Sequence, residues 1–305
     1  MNFLITGGSG FIGKHLVSAL SKRKNTKIYV IDKVKLIFKA NNVFFIKGDI
    51  GKFKTLEKIN INIDYIYHLA ADVGVQNIIK HPVKSLSNNL VTTENIIKLA
   101  KKKRIKRLFF FSTSEVYSLL NKNGKMDEND YLELPSINHP RSSYWLAKIS
   151  GEFLTIMSGI PYTIFRIFNI YGTNMRTTHV IPSIFYLLKK KQKPIFQNPN
   201  HTRCFLFIDD GINFILDALK PSFKNQIINV ANPNEEIKIK DLVNKIKKIL
   251  NNKKKIKYKS VNNQSIIRRK PSIQKIKKLK KTNFKFTKLD QGLLLLKKYY
   301  ENKNF

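Results

Sequence analysis

A doubly wound α/β sheet is the architecture expected of this 305-residue chain. Short apolar runs alternate with helical patterns through the first half of the sequence. The first run feeds a glycine-rich turn that opens directly into a helix, and the second run ends on an acid, Asp32. Strands that alternate with helices form a parallel sheet covered on both faces, and a glycine turn at the first crossover belongs to its Rossmann-type form. The prediction is therefore a Rossmann-type doubly wound parallel sheet over residues 1–170, with 205–231 returning to it. A smaller, mixed C-terminal lobe is expected from 171–204 and 232–305.

Each element has its own signal. Phe3-Leu4-Ile5 reads as a buried strand and Phe11 to Lys24 as a helix. Ile28 to Ile31, Val43 to Ile46 and Tyr65 to Leu69 are the next strands. Their continuous apolar character is that of strands buried on both faces. Leu86, Leu90, Ile96, Ile97 and Ala100 have helical spacing within 84–103, and Arg107 to Phe111 is a fifth strand. A helix follows at 142–158, then a strand from Tyr162 to Phe168. Beyond Tyr171-Gly172 the pattern is less regular. A helix is expected at 180–191, a turn at Gln197-Asn198-Pro199-Asn200 and a short strand from Cys204 to Ile208. A helix at 210–219 and a strand from Ile227 to Val230 come next, and the remainder reads as Lys-rich helix and loop.

Composition excludes several classes. Hydrophobic residues make up 42%, too many for a disordered chain. With 13 Gly and one Cys the chain is neither collagen-like nor a disulfide scaffold. Cys204 has no partner for an internal disulfide, which fits a reducing, cytoplasmic setting. The longest apolar runs, Leu108 to Phe111 and Leu293 to Leu296, fall far short of the roughly 20 residues of a spanning helix, so no membrane insertion is expected. Met1 to Ile5 lack the features of a signal peptide. No metal site is expected.

Lys+Arg total 57 against 20 Asp+Glu, a net charge of +37. Such a balance suits a nucleic-acid binder or a protein held on an anionic membrane. Lys, Asn and Ile are used heavily throughout, however, and the charge reads as compositional drift. It is densest over 238–298, with 22 Lys+Arg against Asp241 and Asp290, on what should be solvated helix faces.

Gly7, Gly10 and Gly13 carry the spacing G-x-x-G-x-x-G between the first strand and first helix. One glycine makes the tight turn, one lets the backbone approach a pyrophosphate, and one allows helix and strand to pack closely. The helix start then presents free N–H groups to phosphate. Asp32 ends the second strand, where its carboxylate can accept both ribose hydroxyls, which favours NAD over NADP. Asp49, closing the third strand, is placed to meet the adenine amino group.

Tyr144 and Lys148 are four apart on an expected helix and share a face. A neighbouring ammonium lowers a phenol's pKa, and a cationic nicotinamide ring would add to this. Tyr144 then becomes a general base for an alcohol that loses hydride to NAD. Thr113, at the end of the fifth strand, offers a hydroxyl to hold that alcohol.

At this point the chain resembles the extended short-chain dehydrogenase/reductases that modify nucleotide sugars. The matching segments are Thr6 to Gly13, His68-Leu69-Ala70-Ala71, Asn89 with Thr93, Ser112 to Tyr117, and Tyr144-x-x-x-Lys148. Arg166 to Gly172, Arg203, and Arg269-Lys270-Pro271-Ser272-Ile273 complete them in family order. The resemblance implies that Thr113, Tyr144 and Lys148 are the catalytic hydroxyl, base and pKa-setting lysine. It implies that Gly7, Gly10, Phe11, Ile12, Gly13 and Asp32 hold the cofactor. Asp49, Ile50, Leu69, Ala70, Ala71, Asn89 and Lys148 would hold it too. Asn89 has the alternative of a helix-start cap. Ser114, Asn169, Arg203 and Arg269 would bind substrate, the two arginines forking onto its diphosphate. The lobe of 171–204 and 232–305, which carries Arg203 and Arg269, would be the substrate-binding one, and relatives of this kind are usually homodimers.

Some positions depart from the family pattern. Ser118 stands in place of the usual Gly, Thr92 in place of another, and Cys204 in place of the common Asp. Asn198-Pro199-Asn200-His201 lacks the customary glycines before Arg203.

The resemblance implies oxidation at C4 to a keto sugar, with several fates. Epimerisation at C4 of an NDP-sugar, with UDP-sugars foremost, is the commonest and is taken first. Thr-Ser-Glu at 113–115 resembles the nucleotide-sugar decarboxylases, in which Glu115 and Arg269 would handle a UDP-glucuronate-type substrate. 4,6-Dehydratases usually carry Asp-Glu after the threonine, and Ser114 replaces that Asp. A reading of another class is a non-catalytic member of the fold that binds RNA. The intact Thr113, Tyr144 and Lys148 count against it, so nucleic acid is not the expected partner.

Overall fold

The computed structural model describes residues 1–117, 125–132, 136–190, 194–261, 267–280 and 285–303. In chain order the elements begin β1 (Asn2–Thr6), α1 (Phe11–Ser21), β2 (Lys27–Asp32), β3 (Val43–Lys47), α2 (Phe53–Glu57), β4 (Tyr65–His68), α3 (Val75–Lys80) and α4 (Pro82–Lys102). Next come β5 (Arg107–Thr113), α5 (Ser142–Met157), β6 (Tyr162–Ile167), β7 (Asn169–Tyr171), α6 (Val180–Lys189), β8 (Ile195–Gln197), β9 (Thr202–Phe207) and α7 (Ile208–Asp217). The last are β10 (Gln226–Val230), β11 (Glu236–Lys238), α8 (Ile239–Ile249), β12 (Lys257–Lys259), β13 (Arg268–Arg269), α9 (Gln274–Lys280) and α10 (Leu289–Glu301). Ser118 falls outside the described residues.

The chain packs as two compact units. The first comprises 1–118, 131–167 and 212–228, and the second 119–130, 168–211 and 229–305. The return to the first unit thus begins at 212, against the 205 expected from sequence. The reason is that β9 pairs with β7, β11 and β13, which ties 205–207 to the smaller sheet.

The first unit is built on a seven-stranded sheet of order β10-β6-β5-β4-β1-β2-β3. The pairings from β3 through β1 and β4 to β6 are parallel. β1 lies between β2 and β4, so the winding reverses there, and the C-terminal ends of these strands are where such sheets bind ligands. The central strands β1, β4, β5 and β6 read as continuously apolar because both faces are covered, whereas the edge strand β3 stays partly exposed, Phe44 included. On one face Phe3, Tyr67, Phe109 and Phe165 form an aromatic row, with Tyr67 and Phe109 stacked at 4.3 Å between ring centres and Phe109 and Phe165 at 5.9 Å. Their sequence neighbours Leu4, Ile66 and Leu108 point the other way and pack against Ile96, Leu99 and Ala100 of α4. α5 lies close against β5: a Cβ on Gly151 would sit 2.5 Å from the Phe110 ring.

The second unit has a smaller mixed sheet. β9 runs antiparallel to β11 and parallel to β13 and β7. β8 and β12 form a separate parallel pair. α8 buries Leu242, Val243 and Ile246, and its Lys245 pairs with Asp290 of α10 at 2.7 Å. The stretch expected to be only Lys-rich helix and loop therefore contains strands as well. β12 and β13 are short and charged, so they carry no apolar periodicity, and backbone pairing to β8 and β9 is what makes them strands.

Candidate active site

The glycine turn has the shape its spacing implies. Gly7 has φ +72°, and a Cβ there would lie 2.7 Å from the Ala70 nitrogen. A Cβ on Gly13 would run into the Gly7 carbonyl and the Gly8 Cα. Gly10 caps α1 without a side chain, so Phe11, Ile12 and Gly13 begin the helix with no side-chain acceptor on their N–H groups. The Asp32 carboxylate is oriented by two backbone donors, Ser9 N–H on one oxygen and Val34 N–H on the other, each at 3.0 Å. Lys33, the nearby cation that a 2′-phosphate would seek, pairs with Asp49 at 3.1 Å. Burial raises the pKa of Asp49, but the Gly51 N–H and Lys33 outweigh it and hold it below the ordinary value. Ile50 is buried, and its carbonyl accepts from Asn95 Nδ2 at 2.8 Å. A tight turn, a helix start open to phosphate and an oriented carboxylate at the next strand fit a dinucleotide with free ribose hydroxyls.

The end of β4 is pinned from beneath. Thr6 Oγ1 meets His68 Nδ1 at 2.8 Å and accepts from the Ala70 N–H at 3.2 Å. Thr93 Oγ1 meets His68 Nε2 at 3.4 Å. Burial, with help from the Lys148 charge, pushes the His68 imidazole down to about 3, so it is neutral. The Leu69 N–H donates to Thr6 O at 3.1 Å. Asn89 is not a helix-start cap: it lies inside α4, and its amide brackets Asp72, accepting from its N–H at 2.7 Å and donating to its carbonyl at 3.2 Å. Asn89 thereby orders the chain just after Leu69-Ala70-Ala71.

Thr113, Tyr144 and Lys148 are brought together. Tyr144 hydrogen-bonds the Thr113 hydroxyl, and the Lys148 ammonium lies 5.9 Å from the centre of the Tyr144 ring. Lys148 is buried and donates to Phe111 O at 2.7 Å. Burial pulls its pKa down to about 8 against the opposing charge of Glu152. The expected lowering of the Tyr144 pKa is not what the chain produces. Burial and then the Glu115 charge raise it above the ordinary phenol value, against the Thr113 hydrogen bond. The physical reason is desolvation: the phenolate loses water and faces a carboxylate, while the ammonium is spent on a backbone carbonyl.

Glu115 is held, not free in solvent. Arg141 Nη2 reaches both its oxygens at 3.1 Å, and Trp145 Nε1 donates to Oε2 at 2.5 Å. Arg141 also lies over the Trp145 ring at 5.5 Å. Sequence reasoning missed these partners, although 141 and 145 are one helical turn apart. Ser114 is almost wholly buried. Glu152 and Arg166, behind Lys148, form a buried ion pair at 2.8 Å that was also not anticipated.

The second unit collects the remaining candidates. On β9, Arg203 pairs in register with Arg269 of β13, and Phe205 with Asn169 of β7. Residues in register on parallel strands share a face, as do residues two apart, so Asn169, Arg203 and Arg269 lie on the same face. The Asn169 Nδ2 is buried with no hydrogen-bond partner among the described residues, a donor awaiting an acceptor. Arg203 Nη1 donates to Thr202 O at 2.7 Å. The opposite face is neutralised: Glu236 takes Arg268 Nε at 2.7 Å and the Thr202 hydroxyl at 2.8 Å, and these bonds bring its carboxyl down to about 2. His201, two residues before Arg203, is a further candidate. Burial and the charges of Arg203 and Arg269 hold its pKa below the ordinary value. Cys204 is buried and its thiol is pushed up to about 12, so it is an inert packing residue.

A family model described as the NAD dependent epimerase/dehydratase family matches residues 3–231. The dTDP-D-glucose 4,6-dehydratase of Dictyostelium discoideum is 33% identical over 273 residues, covering 81% of this chain and 61% of that protein. The UDP-N-acetyl-alpha-D-glucosaminuronate decarboxylase of Bacillus cytotoxicus is 29% identical, covering 90% of each. Among solved structures, the UDP-glucose 4-epimerase of Thermotoga maritima with UDP-glucose is similar at a TM-score of 0.89 and 25% identity, covering 100% of both chains. The chain spans less than two thirds of the dehydratase relative's length. Among the described residues no helix is long and apolar enough to cross a membrane. With its glycine turn, its oriented Asp32 and its Thr–Tyr–Lys cluster, the chain belongs to the NAD dependent epimerase/dehydratase family of extended short-chain dehydrogenase/reductases, and its cofactor is NAD.

Proposed function

We propose that the chain modifies a nucleotide-diphosphate sugar through a 4-keto intermediate, and that its reaction is 4-epimerisation, with UDP-sugars the first candidates. The observation that carries this choice is the confinement of Glu115. Arg141 grips both oxygens of its carboxylate and Trp145 donates to one of them. Tyr144 is then the group free to move a proton, and epimerisation at C4 needs only one.

Thr113 would hold the C4 hydroxyl while Tyr144 Oη takes its proton. The Gly7–Gly13 turn and Asp32 would hold NAD, which would supply hydride acceptor and donor chemistry and, when oxidised, a positive ring charge that opposes the raised phenol pKa. Lys148 supports the phenolate from behind. After the keto sugar turns over, Tyr144 gives the proton back. Asn169, Arg203 and Arg269 would hold the diphosphate and sugar. 4,6-Dehydration needs an acid and a base beyond Tyr144, and the buried Ser114 and the confined Glu115 do not supply them.

A second reading is decarboxylation of a UDP-glucuronate-type substrate. A keto group at C4 takes up the electron pair as the C5 carboxylate leaves as carbon dioxide, and the resulting enolate then gains a proton at C5; similarity to the Bacillus cytotoxicus decarboxylase over 90% of both chains favours this reading. A non-catalytic, RNA-binding role is disfavoured by the assembled Thr113–Tyr144–Lys148 cluster.

The deciding experiment is incubation with UDP-, GDP-, CDP- and dTDP-sugars, read by NMR and mass spectrometry. Inverted C4 at unchanged mass supports epimerisation. Loss of carbon dioxide from UDP-glucuronate overturns it in favour of the second reading, and loss of water overturns both. We also propose a cytoplasmic homodimer. Exposed Val83 and Val91 on α4 and Phe153 and Met157 on α5 offer an apolar face to a second copy. Sedimentation at the monomer mass would overturn that.

A further inference from the structure

Directly behind Lys148 the first unit buries a second set of charges. Glu152 lies one helical turn beyond Lys148 on α5, and Arg166 lies on β6. Their side chains are 4% and 3% exposed. Arg166 grips the carboxylate with Nη2 on Oε2 at 2.8 Å and Nε on Oε1 and Oε2 at 3.1 and 3.3 Å. Ser112 Oγ donates to Oε1 at 2.5 Å. Ser112 follows Phe111, whose carbonyl accepts from the Lys148 ammonium at 2.7 Å. Consecutive residues of β5 therefore anchor the lysine and the carboxylate side by side.

A buried ion pair is a poor device for stability alone, because desolvating two charges costs as much as their attraction returns. Its placement suggests another use. We infer that Glu152 is a positioning residue for the reacting pair: its carboxylate, fixed by Arg166 and Ser112, keeps the Lys148 ammonium charged and seated on Phe111 O behind Tyr144. This rests on the reading of Tyr144 and Lys148 as the proton-transfer pair.

The groups that face Lys148 come from three elements. Tyr144 and Glu152 are on its own helix, neutral His68 is on β4, and the Phe110 ring, 5.1 Å from the ammonium, is on β5. Arg166, on β6, is paired with the Glu152 carboxylate at 2.8 Å. Glu152 is the charge that raises the lysine's pKa, and burial is what lowers it. Removing the carboxylate leaves burial unopposed, so Lys148 must lose its proton at lower pH.

The test is side-chain ¹⁵N-lysine NMR of the protein without cofactor or substrate, with the Lys148 signal identified by its loss in Lys148→Arg. The wild-type midpoint is expected near pH 8. In Glu152→Gln it should fall by about one to two pH units, the size of one opposite charge a helical turn away. Glu152→Asp should restore most of the shift. An unchanged midpoint in Glu152→Gln overturns the inference. Should that variant fail to fold, Glu152→Gln with Arg166→Met removes both charges and leaves no unpaired ion. A lowered midpoint is expected there too, and an unchanged one overturns the inference.

The second arm is the pH profile of turnover. In Glu152→Gln the alkaline limb of kcat should move with the NMR midpoint while KM stays. A purely structural role would lower kcat at every pH without moving the limb, and that result also overturns the inference. A wild-type protein inactive on every nucleotide sugar would reject the functional reading, while the NMR midpoints still decide whether Glu152 controls Lys148.

Discussion

Arg203 and Arg269 are register partners on the adjacent parallel strands β9 and β13. Like charges in that relation repel, whereas a favourable cross-strand pair contributes roughly 0.2–1 kcal/mol. A diphosphate between two guanidinium groups reverses the sign. Arg203→Gln is therefore expected to leave the thermal midpoint nearly unchanged and to weaken UDP binding about tenfold or more, since a charge-assisted hydrogen bond is worth roughly 1.5–3 kcal/mol. Isothermal titration calorimetry measures this, and an unchanged Kd removes Arg203 from the site.

Tyr144 should ionise above the ordinary phenol range in the chain without cofactor, because burial and Glu115 both oppose the phenolate. The difference in ultraviolet titration between wild type and Tyr144→Phe reads it. Oxidised NAD should lower that value. Tyr144→Phe should abolish turnover while NAD still quenches protein fluorescence, and surviving turnover would show that another group is the base.

His68 carries an acid-dependent share of stability. Its folded pKa, about 3, lies below the ordinary 6.5. Between those values the unfolded chain binds the extra proton, so stability is present in full above pH 6.5 and is lost as pH falls toward 3. His68→Gln, which keeps a polar group between Thr6 and Thr93, should flatten urea-unfolding stability between pH 7 and pH 5. Equal slopes in the two proteins would contradict a buried neutral imidazole.

Gly13→Ala places a methyl group against the Gly7 carbonyl and the Gly8 Cα, which are backbone atoms and cannot swing aside. Overpacking of this kind costs about 1–3 kcal/mol and here also displaces the phosphate turn. A lower thermal midpoint together with loss of NAD binding is the expected result. Wild-type NAD affinity would mean that the turn is looser than its packing shows.

Much of the first unit was legible in the order of its residues. Strands buried on both faces must be apolar throughout, as Leu108 to Phe111 are, and helices between them must repeat at 3.6, as Leu86 to Ala100 do. The glycine turn and Asp32 were legible because their function depends on local backbone geometry. The C-terminal strands were not. Lys257–Lys259 and Arg268–Arg269 have no apolar pattern, and their hydrogen-bond partners lie more than 60 residues away in sequence.

The same division runs through the site. The residue order was enough for the doubly wound sheet, the dinucleotide turn, and the pairing of Tyr144 with Lys148, because each follows from spacing within a few residues. The folded chain decided the electrostatics. It tied Glu115 to Arg141 and Trp145, seated Lys148 on Phe111 O, and put the Glu152–Arg166 pair behind it. It also raised the Tyr144 pKa where spacing alone had implied the reverse. Burial and long-range charge set a pKa, and neither exists until strands and helices distant in sequence have closed around the group.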